Sequence, residues 1–378
     1  MDLDLPAEAE AFRRATREVV DDLLQYEPEY HRTDTVPEVV QETLRKMGYY
    51  GMTIPEAYGG LETDKLAAAA VHVELSRLPP QFWPLIRSAV GPVTHALVNH
   101  GTQAQKRANL PHMANGTRKI SFAVTEPDCG SDVLAMRTTA VKKGSVYMLN
   151  GTKTFISNAN KADVILVFAY TDRSKGREGI TALLVDARTP GLTLSPAMPT
   201  TGWMEDGLFE LNFNNCEIPA DALVGEEGRG FFYALEGLNE ARLNVGCQAV
   251  GCGDIALDTT LEYAKQRKTF GAALASHQAV QHMLADMAMD QHGARQVLFE
   301  AVWRLSRGED VRLRSSMVKV MCTEAAGRTA DRAVQLHGGS GYCRGTVVER
   351  VYRDVRVLRI FEGASEIHRN MIAKHLLR

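Results

Sequence analysis

The hydrophobic spacing of this 378-residue chain changes twice, and the two changes divide it into helix, strand and helix. Over residues 6–25, Phe12, Ala15, Val19 and Leu23 share one face of a helix, and Val36, Val39, Val40, Leu44 and Met47 repeat the pattern over 36–47, closed by Gly48. Ile54-Pro55-Glu56-Ala57-Tyr58-Gly59-Gly60 reads as a loop. Leu66, Ala69, Ala70, Val73 and Leu75 predict a helix over 64–78, and residues 89–114 predict one or two more. From Gly116 the pattern shortens. Runs at 120–126, 145–157, 163–170, 180–186 and 208–213 are rich in Val, Ile, Phe and Tyr and are separated by Gly, Asn, Pro and Lys. No helical pattern intervenes, so an antiparallel sheet or barrel is expected rather than a parallel sheet. Pro219, Gly225, Gly228 and Gly230 mark the exit. From Phe231 the helical period returns: Val280, Met283, Leu284, Met287, Ala294, Leu298 and Leu305 share one face, and Val318, Met321, Cys322, Ala325, Thr329, Ala333 and Leu336 share another. The expected fold class is therefore α+β, mainly α. It has an N-terminal helical domain (1–117), a middle antiparallel β domain (118–225) and a C-terminal helical bundle (226–378), with clefts at the domain junctions where ligands tend to lie.

Composition narrows the function classes. Hydrophobic residues make up 45% and charged residues 24%, enough for a sizeable core, and a net charge of −3 gives no support for a nucleic-acid surface. The six cysteines include no Cys-x-x-Cys pair, so neither a zinc site nor a disulfide framework is expected, and no metal site is assigned. Without a membrane-length apolar run or the marks of a signal peptide in the acidic opening, residues 1–6, a soluble cytoplasmic protein with little room for a removable leader is expected.

Several segments carry chemistry. In Arg359-Ile360-Phe361-Glu362-Gly363-Ala364-Ser365-Glu366, an acid follows two apolar residues and precedes a glycine. An apolar wall raises a carboxyl pKa, and a raised pKa suits a general base near neutral pH. The same residues also fit an ordinary helix start, with Ser365 as the cap and Glu362 facing the dipole. Residues 122–132, from Phe122 through Thr125 and Glu126 to Ser131 and Asp132, form a strand end followed by a polar loop suited to a planar heterocycle or a phosphate. Asn150-Gly151 is a hairpin signal, followed by an alternating strand that brings Phe155 and Ser157 toward its end. Arg267-Lys268-Thr269-Phe270-Gly271, with His277-Gln278, puts cations beside a helix break. Gln335-Leu336-His337-Gly338-Gly339 closes a helix with more glycine than a C-cap requires. Gly251-Cys252-Gly253-Asp254-Ile255-Ala256 matches a dinucleotide fingerprint, but helical spacing runs straight through it, so close helix packing is the expected role.

Taken together and in this order, these segments resemble the acyl-CoA dehydrogenase family of flavoenzymes over essentially the whole chain. The resemblance implies a C-terminal four-helix bundle, a homotetramer, and FAD extended between domains and across a subunit interface. It implies that Phe122, Val124 and Thr125 meet the flavin, with Phe155, Ile156 and Ser157 on its other side. Arg267, Phe270, His277, Gln278, Gln335, Leu336, His337, Gly338 and Gly339 would hold the neighbouring subunit's FAD, and Ala364 and Glu366 lie at further cofactor positions. Ser131, shared between cofactor and substrate, with Asn239, Arg242 and Gly363, would contact the CoA substrate. Glu362 matches the base that removes the Cα proton of an acyl thioester. The Cβ hydride then goes to flavin N5, a trans-2-enoyl-CoA results, and electrons pass to electron-transfer flavoprotein. The residue before Arg242, which supplies the base in some members, is Ala241, and Glu240 would point about 100° away on a helix. Departures from the family pattern are Asn239 for Asp, Phe155 for Trp, Ser157 for Thr, Ala364 for Thr, and Met204 for Arg in the loop 200–207. The acyl group, whose pocket the resemblance places near residues 89–97 and 241–245, is open, as is the choice between CoA and an acyl carrier protein. An oxygen-reducing oxidase of the same fold and a non-dehydrogenating flavin-carrying binding protein remain alternatives at this point.

Overall fold

The computed structural model describes residues 5–33, 35–83, 91–203 and 207–377. The residues 89–90 of the expected helix and acyl-pocket stretch, the loop position Met204 and the first four residues lie outside these. The first third is helical: α1 (Ala7–Leu24), α2 (Glu27–Thr33), α3 (Glu38–Lys46), α4 (Lys65–Leu75), α5 (Pro92–His100) and α6 (Gln103–Ala114). The stretch read as one or two helices resolves into two, because Gly101 ends α5 and Thr102 with Gln105 forms a capping box for α6. The short α2 was not expected, since seven residues show too little periodicity to register.

The middle region is one seven-stranded sheet, β1 (Ile120–Ala123), β2 (Thr139–Lys143), β3 (Val146–Ser157), β4 (Val164–Tyr170), β5 (Ile180–Asp186), β6 (Leu192–Leu194) and β7 (Leu208–Pro219). Most pairings are antiparallel, but β1 runs parallel to β4 in register Ile120↔Val164. Asn150-Gly151 is not a turn. β3 passes straight through it, and the register against β7 shifts between Leu149 and Gly151. Gly151 has φ 142°, and a Cβ there would lie 2.5 Å from Thr138 Oγ1, so the glycine makes a bulge pressed against the segment that leads into β2. The hairpin itself turns at Gly144, φ 59°.

The C-terminal part comprises α7 (Gly230–Gln266), a two-stranded ribbon of β8 (Lys268–Thr269) and β9 (Ala272–Ala273), α8 (Gln278–Ser306), α9 (Arg312–His337), α10 (Gly339–Tyr342), α11 (Val347–Asp354) and α12 (Ser365–Leu376). The Gly-x-Gly segment is inside α7. A Cβ on Gly251 would lie 2.2 Å from Val73 O, and one on Gly253 would lie 2.3 Å from the Gln291 amide, so these glycines admit α4 and α8 at close range. One apolar cluster joins α1–α4 to the C-terminal helices, a second packs α5 and α6 on the sheet, and a third fills the sheet's other face.

Candidate active site

Glu362 occupies the short link between α11 and α12. Its φ is 56° and that of Gly363 is 95°. Seven described non-glycine residues have positive φ, and three of them, Phe155, Phe270 and Glu362, are site candidates from the sequence. Such backbone costs about 1–3 kcal/mol and persists where surroundings impose it, commonly at functional sites. α12 starts at Ser365 with Ala364 as its N-cap, and no side chain caps it; Ser365 Oγ donates to Glu324 Oε1 (3.1 Å) instead. The ordinary helix-start reading, with Ser365 as cap, is therefore corrected, and Ala364 offers only backbone.

Glu362 is half-buried. Burial pushes its carboxyl up to about 7, although Arg242 and Lys319 pull the other way. Both cations are buried. Arg242, on α7, donates to Asn239 Oδ1 (3.1 Å), and its Nε has no partner. Lys319, on α9, donates to Gly363 O (2.6 Å). His368 Nε2 meets Glu362 O at 3.1 Å. A Cβ on Gly363 would lie 2.8 Å from that same nitrogen, so both its φ and the space require glycine. Phe361, next to Glu362 in the chain, packs edge-on to Trp203 (5.5 Å), which packs edge-on to Trp83 (5.7 Å), so the link that carries Glu362 is anchored on a row of aromatic rings. Trp203 is itself held through its backbone N–H, which donates to Asp354 Oδ1 (3.0 Å). Ala241 is buried, and Glu240 pairs with Lys65 (2.8 Å).

The two strand-end segments meet. Ser121 Oγ donates to Ser157 O (2.8 Å), and Thr154 N donates to Thr125 O (2.9 Å). Lys153, fully buried, donates to Val124 O (2.9 Å) and to Glu126 Oε1 (2.8 Å). Phe122, Val124 and Thr125 are half-buried, and Phe155 is 58% exposed with Ser157 exposed near it, a partly apolar surface at the strand ends. Ile156 turns its side chain into the sheet core, leaving only backbone toward a ligand. Ser131 lies exposed in the loop after β1, and Asn239 is half-buried beside Arg242.

A second group gathers at the C-terminal end of α7. Arg267 and Gln278 are exposed, and Phe270 is 99% exposed at φ 51°. His277 meets Thr269 Oγ1 at 3.1 Å. His337 is buried and stacks on Tyr263 of α7 (4.1 Å), which ties the turn at Gly338 and Gly339 to this end. Gln335, Gly338 and Gly339 are exposed, Leu336 is half-buried, and Glu366 is exposed in the first turn of α12. A cation, an uncovered aromatic ring and a glycine turn together suit a phosphate-bearing, partly aromatic group such as FAD.

Lys319, His368 and Lys153 were not singled out from sequence. Elsewhere, His95, His100 and Glu236 place one donor atom each within 4.8 Å of one another; His100 already pairs with Glu236 at 2.7 Å and stacks on Tyr233. A cavity of about 470 Å³ among α1, α4, α7 and α8 is distant from Glu362 in the chain and lined by matched charges, Arg13, Arg17 and Arg77 against Glu74, Asp254 and Asp258.

Residues 6–117, 121–216 and 228–377 match the N-terminal, middle and C-terminal domain models of acyl-CoA dehydrogenase. An acyl-CoA dehydrogenase of Bacillus subtilis is 37% identical over 92% of this chain and 91% of its own length. A subunit of the caffeyl-CoA reductase–Etf complex of Acetobacterium woodii is 33% identical over 96% of this chain and 95% of its own. The butyryl-CoA dehydrogenase structure from Megasphaera elsdenii superposes with a TM-score of 0.93 at 32% identity, covering all of both chains.

Proposed function

Because the chain belongs to the acyl-CoA dehydrogenase family, oxidoreductases acting on CH–CH bonds that use a flavin, we propose that it dehydrogenates an acyl-CoA thioester to a trans-2-enoyl-CoA with Glu362 as the base. The observation that carries this reading is the Glu362 carboxylate itself, held on a positive-φ backbone in a link anchored by the Phe361–Trp203 ring pair and acted on by the charges of Arg242 and Lys319. A group whose pKa lies near neutrality is suited to accept a proton from a weakly acidic Cα–H and to release it later. Arg242 and Lys319 favour the ionised carboxylate that burial alone would suppress. The Glu362 backbone N–H is the donor we assign to the thioester oxygen, where charge develops as the proton leaves.

Bound FAD would supply the hydride acceptor. The residues present fit it: Phe122, Val124 and Thr125 with Phe155 and Ser157 for the ring, and Arg267, Phe270, His277, Gln278 and the 335–339 turn for the phosphate and adenosine end. In this reading the second set serves a neighbouring subunit's cofactor in a homotetramer, Ser131, Asn239 and Arg242 meet the CoA thioester, and electron-transfer flavoprotein is the redox partner. The Etf-complex relative supports that partner.

The test is anaerobic mixing of the flavin-loaded protein with a panel of acyl-CoAs, following loss of the oxidised flavin band. Bleaching by one chain class is expected, with the Glu362→Gln variant binding flavin but reacting at least about 100-fold more slowly. Full turnover by Glu362→Gln would sink the assignment of the base.

A further inference from the structure

We propose that Lys319 and His368 are positioning residues that clamp the two carbonyls flanking Gly363 and so aim the Glu362 carboxylate at its substrate. This rests on Glu362 being the base. Two successive residues, Glu362 at φ 56° and Gly363 at φ 95°, depart from ordinary backbone, and the first has a side chain. Left alone, that segment would relax toward common conformations. It is pinned from two helices. Lys319 on α9 reaches Gly363 O at 2.6 Å, and His368 on α12 reaches Glu362 O at 3.1 Å. Neither side chain has any exposed surface. A lysine buried without exposure destabilises the fold unless its charge is used. Here one donor is spent on the peptide next to the base.

The hydrogen bonds also fix the form of each group. Glu362 O can only accept, so His368 carries its proton on Nε2 and leaves Nδ1 bare. Nδ1 is buried with no partner, which a neutral ring tolerates better than a charged one. Burial, with Arg242 nearby, pulls the imidazole down to about 4, consistent with a neutral donor. Burial pulls Lys319 down to about 8, while Glu362, Glu324 and Glu366 act to keep it charged and Arg242 opposes them. Lys319 therefore does two things at once. It holds the peptide, and it places a cation beside the carboxylate. Gly363 completes the device, since any side chain there would strike the His368 ring.

The test compares Lys319→Met, His368→Gln and His368→Leu, each as the flavin-loaded protein, with Glu362→Gln alongside. The readouts are flavin content, kcat and KM separately, and the pH profile of kcat/KM. Lys319→Met should lose about 100-fold in kcat with KM little changed, and its acid limb should move up by about one pH unit as the nearby cation is lost. His368→Gln retains an N–H donor and should stay near the parent rate. His368→Leu should fall toward Lys319→Met, and the double variant should lose little beyond either. If Lys319→Met does not fold, the His368 pair decides. A Lys319→Met enzyme with the parent kcat and acid limb, or equal rates for His368→Gln and His368→Leu, overturns the clamp. If Glu362→Gln also keeps full turnover, the base assignment has failed; if it is inactive, only the clamp has.

Discussion

At the scale of single residues, the decisive balance is the one at Glu362. Burial raises its pKa and two cations restrain the rise, leaving it at about 7. A base acts in its ionised form. The rate therefore holds above that value and is lost as pH falls through it. We expect kcat/KM to decline about tenfold per pH unit below roughly pH 7, the slope of a single protonation. A profile flat down to pH 5 would show that the protonation of Glu362 does not limit the reaction. Glu362 drew notice in the sequence as an acid between apolar residues and a glycine, but an ordinary helix start shares that local pattern, and it was the family resemblance that pointed to a base. Lys319 drew no notice. Its neighbours Val318 and Cys322 marked an apolar face, and a lysine beside them reads as a solvated edge. The better signal was the polar series Ser315, Lys319 and Thr323, one helical turn apart and wholly buried. Buried polar residues at helical spacing look the same in sequence as a surface stripe, and only the packing of α9 beneath the 360–364 link separates the two.

At the scale of elements, the strand ends that would frame the flavin are held by a buried ion pair. Lys153 on β3 bonds Val124 O and Glu126, and Glu126 accepts the N–H groups of Arg137 and Thr138 at 2.6 and 3.0 Å. This one carboxylate joins the loop after β1, the approach to β2, and β3. Burial disfavours the Glu126 charge, but Lys153 and these donors outweigh it, so its pKa lies below the usual value. Its stabilising contribution is present above the unfolded-state pKa and disappears as pH falls through the folded one. Lys153→Met leaves Glu126 buried without its cation and should cost about 3–5 kcal/mol near neutral pH. The gap in melting temperature from the parent should narrow as the solution is acidified and Glu126 protonates in both. A gap that is constant across pH would show that the loss is one of packing and not of charge. The elements were largely legible wherever they were long: α1, α4, α7, α8 and α9, and β3, β4 and β5, follow their periods. The misses were the short α2, the parallel pairing of β1 with β4, the three-residue β6, the Lys-rich β2, whose exposed face hides its alternation, and the Asn-Gly pair, where neighbouring strands overrode a strong local turn preference.

At the scale of the whole molecule, the change of period in the sequence marks a change of secondary structure but not a division of cores. The first apolar cluster runs from Val20, Leu44 and Leu75 into Val250, Leu298 and Val351, so α1–α4 share their interior with the C-terminal helices. The contact is intimate. Gly251 lets α7 press against the Val73 carbonyl, Arg77 pairs with Asp258 at 2.7 Å, and buried Arg350 reaches across to Glu27 at 2.6 Å. Every residue of α4 from Leu66 to Leu75 except Ala68 is buried in the assembled chain, including His72 and Glu74. Residues 1–117 taken alone would keep α4 against α1, but would expose the faces it buries on α7 and α8 and leave Glu27 without its arginine, and so much uncovered apolar surface is unfavourable in water. We therefore expect a 1–117 fragment to lack a cooperative melt and to give a poorly dispersed amide NMR spectrum, and we expect the full chain to lose its N-terminal and C-terminal helices together on heating. A well-dispersed, cooperatively melting 1–117 fragment would mean that the N-terminal helices form a core of their own. The base-bearing link and the helices that aim it would then be free to move apart from the N-terminal wall that includes Trp83, and the site would be assembled by docking and not by folding.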